Sequence, residues 1–224
     1  MTGPGAPTAA PRPHDLLRIT DPARVLPADP ARDPEALRAA LNRAPWVVVR
    51  RDTRDGRTLP VGVRGSTRAA RWAARVPLDA VAETLTPAAL LRRARPPHRD
   101  LPALHALAAL AGRPRPAWVR SWGPGGSTAF ELATGAPTVG PGSDLDLVAD
   151  TPEPVTPDEA ARLLTALAHL TRHPVRVDLQ LQTPHGAVAA AELARDEGRV
   201  LLRTDTGPFL VTDPWAPPPP AEPR

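Results

Sequence analysis

The sequence predicts an α+β protein built from two domains. A hairpin turn signal at Asp55-Gly56 separates two β-rich runs, helix-start signals recur along the chain, and Pro96-Pro97-His98-Arg99 interrupts the pattern. We therefore expect a small N-terminal α+β domain over residues 12–95. A second domain over residues 99–216 should hold a mixed sheet flanked by helices.

The first domain should contain a helix followed by a hairpin. Asp33 is a good N-cap and Pro34 suits the first helical position, so a helix should run to about Asn42. Strands from Trp46 to Arg51 and from Leu59 to Val63 should then pair across the turn.

An arginine-rich segment follows this hairpin. A helix is predicted from Thr67 to Arg75, and a shorter one should start at Thr86-Pro87. Arginines 64, 68, 71 and 75 have the spacing that would place them on one face of such a helix. The stripe would bind an anionic ligand or an acidic protein, or it would be an ordinary solvated face.

The second domain carries the clearest helix and strand signals. Asp100 should cap a helix that stops at Gly112, and Thr156-Pro157-Asp158-Glu159 is a capping box. Residues 175–182 alternate between apolar and polar, which predicts a strand with one polar face. The other predicted elements are helices from Phe130 to Ala133 and from Val188 to Arg195, and strands from Ser143 to Ala149, from Val200 to Thr204 and from Phe209 to Val211.

The composition of the 224 residues excludes several classes of protein. There is no cysteine, hence no disulfide framework and no thiolate site, and no apolar run is long enough to cross a membrane. The start lacks a secretory signal, so we expect a cytoplasmic protein with no membrane or nucleic-acid partner. Proline-rich composition predicts flexible tails at 1–11 and 217–224.

Charge is shared unevenly along the chain. Residues 1–112 hold 18 arginines against 10 acidic residues, a net +8, and residues 113–224 hold 10 against 14, a net −4. An acidic half that holds metal ions and a basic half that attracts polyphosphate or an acidic protein would explain this asymmetry. Chance combined with the exclusive use of arginine as the basic residue explains it as well.

A glycine-serine turn and a pair of aspartates dominate the second domain. Gly126 and Ser127 should open a helix, where free backbone N–H groups favour phosphate. Asp144 and Asp146 alternate along a predicted strand, so both side chains should lie on one face. Two neighbouring carboxylates are suitable ligands for a hard divalent cation.

A third carboxylate is expected on the next strand. Asp178 lies on the polar face of that strand, which a helical crossover should connect to the first. The three aspartates would then hold Mg²⁺, with two ions favoured, and support phosphoryl or nucleotidyl transfer. The other interpretation treats Asp144 and Asp146 as solvated residues at a strand end.

Several segments together resemble one enzyme family. Two of them are Trp122-Gly123-Pro124-Gly125-Gly126-Ser127 and Ser143-Asp144-Leu145-Asp146-Leu147, whose Gly-Ser and Asp-x-Asp parts alone would be shared with the wider nucleotidyltransferase superfamily. His14-Asp15-Leu16 and Pro60-Val61-Gly62-Val63-Arg64-Gly65 narrow the resemblance to malonate decarboxylase holo-[acyl-carrier-protein] synthase, or phosphoribosyl-dephospho-CoA transferase. The resemblance covers most of residues 12–216 and implies a nucleotidyltransferase-like second domain.

The resemblance also implies a reaction and its residues. The donor would be 2'-(5''-triphosphoribosyl)-3'-dephospho-CoA, the acceptor a serine of the apo acyl-carrier subunit of malonate decarboxylase, and the leaving group diphosphate. Asp144 and Asp146 carry over as Mg²⁺-binding catalytic aspartates, and Gly126 and Ser127 as the phosphate-binding turn. Arg64, within the family-like segment, is expected to bind substrate. The alternatives are a nucleotidyltransferase that uses an ordinary nucleoside triphosphate and a non-catalytic module that binds the carrier protein.

Overall fold

The computed structural model describes residues 10–65, 70–94, 97, 99–170 and 175–219. The chain divides into two compact units, Met1–Thr86 and Pro87–Arg224. The helix that begins at Pro87 thus belongs to the second unit, whereas the sequence placed it in the first and placed the linker at 96–99. Pro96 and His98 of that linker lie outside the described residues, as do positions 1–9 and 220–224 of the expected tails.

The first unit is an antiparallel sheet with one packed helix. Its described strands follow the order β2-β5-β4-β3-β1-β6. Their bounds are β1 Leu16–Ile19, β2 Leu26–Pro27, β3 Trp46–Val49, β4 Thr58–Arg64, β5 Arg71–Pro77 and β6 Val81–Leu85; the helix is α1 Pro34–Arg43, and short 3-10 helices span Pro22–Arg24 and Leu78–Ala80. The predicted helix and hairpin are confirmed.

Local signals explain why α1 begins where it does. The Asp33 carboxylate accepts a hydrogen bond from the Ala36 backbone N–H, and Pro34 occupies the first turn. The buried face of α1 contributes Leu37 and Leu41 to a core that also contains Val47, a fully buried residue of β3.

The predicted helix from Thr67 to Arg75 is wrong. Arg71–Pro77 is strand β5, which pairs with β4 along its whole length. Trp72, Ala74 and Val76 are buried in alternation, so a period of two overrides the helical spacing of the arginines.

The basic helical stripe therefore does not form. Arg64 and Arg71 lie directly opposite each other in β4 and β5, and Arg68 lies outside the described residues. Arg75 binds within its own unit: its Nε donates to Thr58 Oγ1 at 2.7 Å, and its Nη2 lies 3.3 Å from Asp55 Oδ2.

The second unit is a mixed sheet with flanking helices, as predicted. The described strands follow the order β12-β11-β10-β9-β8-β7; β8 and β9 are parallel, and the other described pairs are antiparallel. The strands are β7 Ser121–Pro124, β8 Leu145–Asp150, β9 Val177–Gln182, β10 Ala187–Ala189, β11 Val200–Thr204 and β12 Gly207–Val211. The helices are α2 Pro87–Arg92, α3 Pro102–Ala111, α4 Gly126–Thr134, α5 Pro157–Ala168 and α6 Ala190–Leu193.

Helix α5 makes the crossover that keeps β8 and β9 parallel. Its capping box is complete, because Thr156 Oγ1 accepts from the Glu159 backbone N–H while the Glu159 carboxylate accepts from the Thr156 backbone N–H. Leu163 and Leu167 pack from α5 into a core that also contains Leu147 and Leu181 of the sheet.

Two local predictions in this unit need correction. Asp100 does not cap α3: the N-cap residue is Leu101, and the Asp100 carboxylate contacts His105 Nε2 at 2.9 Å instead. Val188 does not start a helix, because β10 pairs with β9 there and α6 begins only at Ala190. No helix among the described residues is long and apolar enough to cross a membrane.

Candidate active site

A glycine-rich turn connects β7 to α4. The Gly125 backbone N–H donates to the Asp146 carbonyl at 2.9 Å, which ties the turn to β8. Gly126, the first residue of α4, has φ +53°. As the sequence predicted, the helix opens at Gly126 and Ser127, so its first N–H groups point out of the turn.

Asp146 lies directly against this turn. A Cβ atom added at Gly126 would lie 2.7 Å from Asp146 Cγ and closer still to Asp146 Oδ2. Gly123 is crowded as well, because a Cβ there would overlap the Pro87 carbonyl group. The glycines thus allow the aspartate side chain and the turn backbone to approach each other closely.

The sheet brings two of the three predicted aspartates together. Asp146 in β8 pairs with Asp178 in β9 in the parallel register, so both side chains lie on the same face. Asp144 precedes the first residue of β8, which begins two residues later than predicted. Asp144 lies two residues before Asp146, which is one full repeat of the side-chain alternation in a strand.

Asp178 has a cationic neighbour. Its Oδ1 lies 3.0 Å from Arg176 Nε, and its side chain is 42% exposed. Within the described ranges, no three His, Cys, Asp or Glu side chains form a group that could hold a metal ion. A cation at this face would therefore need oxygen ligands from water or substrate in addition to carboxylates.

Sequence reasoning missed the residues that hold the loop from α4 to β8. Glu131, with a side chain only 2% exposed, accepts from Arg99 Nη2 at 2.6 Å on both oxygens. Its Oε2 also accepts from the backbone N–H groups of Thr138 and Val139, each at 2.8 Å. Glu131 belongs to the segment Phe130-Glu131-Leu132-Ala133-Thr134-Gly135, and no spacing in the sequence relates it to Arg99.

The charge state of Glu131 follows from these contacts. Burial raises the pKa of Glu131, but the hydrogen bonds from Arg99, Val139 and Thr138 together outweigh that effect. The pKa of this carboxyl therefore lies below its usual value, and the group is an anion at neutral pH.

Two arginines belong to strands that do not carry the aspartates. Arg64 belongs to β4 of the first unit, and its predicted contact with substrate stays a prediction. Arg203 lies in β11 of the second unit; its Nη1 is buried and has no hydrogen-bond partner among the described residues.

The start of the first unit contains a buried acid. Asp15 Oδ2 accepts from the Arg12 backbone N–H at 2.8 Å, and burial raises the pKa of Asp15 to about 6. His14 has φ 76°, and its backbone N–H donates to the Val49 carbonyl. These contacts give His14 and Asp15 a structural role at the start of the first unit.

The two units match two family models. Residues 12–87 match the phosphoribosyl-dephospho-CoA transferase MdcG N-terminal domain, and residues 89–214 match the C-terminal domain. The boundary between the two matches agrees with the division at Thr86 and Pro87.

Several proteins of this name are similar in sequence to the chain over nearly their whole length. A phosphoribosyl-dephospho-CoA transferase of Pseudomonas aeruginosa is 44% identical over 92% of this chain and 95% of its own. Proteins of the same name from Pseudomonas putida and Klebsiella pneumoniae are 42% and 37% identical, over 92% and 93% of this chain and 96% and 98% of their own. No solved structure matches the chain.

Proposed function

The chain belongs to the phosphoribosyl-dephospho-CoA transferase MdcG family and transfers the phosphoribosyl-dephospho-CoA prosthetic group, and we propose how it carries out this transfer. The donor is 2'-(5''-triphosphoribosyl)-3'-dephospho-CoA. The acceptor is a serine hydroxyl on the apo acyl-carrier subunit of malonate decarboxylase. The family match over both units and the resemblance in the sequence support these substrates.

The reaction exchanges a phosphoanhydride bond of the donor for a phosphate ester to the serine. The serine Oγ forms a bond to the α-phosphorus of the donor while the bond from that phosphorus to the bridging oxygen breaks. Diphosphate leaves with the electron pair of the broken bond, and the serine proton is released. The product is a phosphodiester, so the protein must mainly orient two anionic partners and neutralise developing charge.

The turn at the start of α4 binds phosphate in this proposal. The backbone N–H groups of Gly126 and Ser127 and the Ser127 hydroxyl donate to phosphate oxygens of the donor. Bringing these donors close to the carboxylate of Asp146 requires a glycine at position 126. Arg64, in the family-like segment of the first unit, is proposed as a substrate-binding residue on the strength of the resemblance alone.

Asp144 and Asp146 are the proposed catalytic aspartates. Mg²⁺ is commonly held by one or two carboxylates together with substrate phosphates and water, and these two residues with the adjoining turn suit that ligand set. When bound, the cation neutralises charge on the transferring phosphoryl group. Asp178, which lies on the same face of the sheet as Asp146, is proposed as an additional ligand. Its carboxylate would leave the ion pair with Arg176 and bind the cation instead.

The close contact between Gly126 and Asp146 is the main support for this assignment of the site, because it joins the proposed phosphate-binding turn to a proposed catalytic aspartate. The test is a mass measurement on apo carrier protein incubated with the enzyme, Mg²⁺ and one donor at a time. The triphosphoribosyl donor should add the phosphoribosyl-dephospho-CoA mass and release diphosphate. Labelling from ATP or CTP, with none from that donor, would contradict the proposed substrate.

A further inference from the structure

The loop over residues 135–143 connects the two halves of the proposed site. It leaves α4, which begins with the Gly126–Ser127 turn, and ends immediately before Asp144 and β8. Asp144 is therefore held on one side by this loop and on the other by Leu145, whose N–H donates to the Arg176 carbonyl at 2.9 Å. Asp146 differs, since the pairing of β8 with β9 and the contact with Gly126 fix it directly.

A buried ion pair anchors the middle of the loop. Glu131 Oε2 accepts three hydrogen bonds, from the backbone N–H groups of Thr138 and Val139 and from Arg99 Nη2. A carboxylate buried to this degree is tolerated only when its oxygens are satisfied in this way. With its side chain 2% exposed and occupied by the loop, Glu131 is not a group that reacts with substrate.

Further hydrogen bonds connect this anchor to the turn and brace the part of the loop that precedes Asp144. Thr138 Oγ1 donates to the Ser127 carbonyl at 2.9 Å, which joins the loop to the turn. Towards the other end, the Gly140 N–H donates to Ser143 Oγ at 2.9 Å and the Ser143 N–H donates to the Gly140 carbonyl at 3.1 Å. The loop is thus bonded to the turn at Thr138 and to itself between Gly140 and Ser143.

We propose that Glu131 and Arg99 form a positioning pair that holds the loop between the Gly126–Ser127 turn and Asp144, and thereby positions Asp144. This inference rests on the proposed function. Residues behind a metal site typically change metal affinity or activity by about 10- to 100-fold when they are replaced.

The test is Glu131→Gln in the full-length protein. Glutamine removes the negative charge and presents an NH₂ group in place of one oxygen. Arg99 then faces a second donor in either orientation of the amide, and in one orientation the two loop amides do as well. In metal-free protein, hydrogen exchange of the Thr138 and Val139 amides should accelerate by about tenfold or more. In transfer assays, the half-saturating Mg²⁺ concentration should rise by about 10- to 100-fold, with a smaller change in KM for the carrier protein.

Two further variants separate positioning from general weakening. Thr138→Val removes the bond to Ser127 and leaves the buried ion pair intact, so it should raise the Mg²⁺ requirement even if Glu131→Gln fails to fold. Thr156→Ala removes the α5 cap in the same unit and should leave the Mg²⁺ requirement unchanged.

The outcomes distinguish this inference from the proposed function. An active wild-type enzyme whose Glu131→Gln and Thr138→Val variants keep its Mg²⁺ requirement would overturn the positioning role. A Mg²⁺ requirement that Thr156→Ala raises equally would also overturn it, by showing that any loss of stability has this effect. Absence of transfer by the wild-type protein would instead contradict the proposed function.

Discussion

Replacing Gly126 by alanine should disable the site without unfolding the protein. The new Cβ would lie 2.7 Å from Asp146 Cγ, whereas ordinary carbon contacts start near 3.4 Å, so the carboxylate must move by about 0.7 Å or more. A misplacement of about 1 Å in an active site can cost a factor of about 10² in rate. We therefore expect kcat/KM for carrier labelling to fall by about 10²-fold, measured by mass spectrometry.

Gly135→Ala provides the matched control. Gly135 also has a positive φ, of 72°, at the C-terminal end of the same helix, but a Cβ there would meet nothing within 4 Å. Both variants carry backbone strain of roughly 1–2 kcal/mol, and only Gly126→Ala adds the collision with Asp146. Circular dichroism and thermal unfolding should show similar stability for the two. A folded Gly126→Ala enzyme with the activity of Gly135→Ala would refute the reasoning.

Three further predictions concern stability. The pKa of Asp15 is raised from 3.8 to about 6, so the stability associated with its protonated form is present below pH 4 and is lost as pH rises through 6. The free energy of unfolding of Asp15→Asn relative to wild type, measured with denaturant, should therefore increase by about 3 kcal/mol between pH 4 and pH 8. A difference between the two proteins that does not change with pH would contradict the burial argument. Trp215→Phe removes the Nε1 hydrogen bond to the Thr151 carbonyl and should lower the free energy of unfolding by about 1 kcal/mol. An unchanged free energy of unfolding would show that this bond does not hold the C-terminal segment. Leu181→Ala, at a fully buried position of β9, should cost about 2–5 kcal/mol by the same measurement, and a loss below 1 kcal/mol would mean that the sheet core can collapse around the gap.

Elements with local signals could be predicted from the sequence. The caps at Asp33 and Thr156 act within one helical turn, and the alternation of residues 175–182 matches a strand with one face buried. The pairing of Asp146 with Asp178 could also be anticipated, because a helical crossover between two strands favours a parallel register.

The misassigned elements depend on distant contacts. Residues 71–75 are rich in alanine and arginine, which favour helix, but pairing with β4 and burial of Trp72 make this segment a strand. The pairing of β10 with β9 overrides the helical pattern at Val188 in a similar way. The Glu131–Arg99 ion pair joins residues 32 positions apart, and no spacing rule in the sequence indicates it.

The central claim is that Asp146, held against the glycine-serine turn, is required for transfer to the carrier protein. The most direct test compares wild-type enzyme with Asp146→Asn in labelling apo carrier from the triphosphoribosyl donor, followed by intact-protein mass. Asparagine keeps the shape of the side chain and removes its charge, so labelling should fall by about 10²-fold or more while the unfolding transition is retained. Labelling by Asp146→Asn at the wild-type rate would contradict the account.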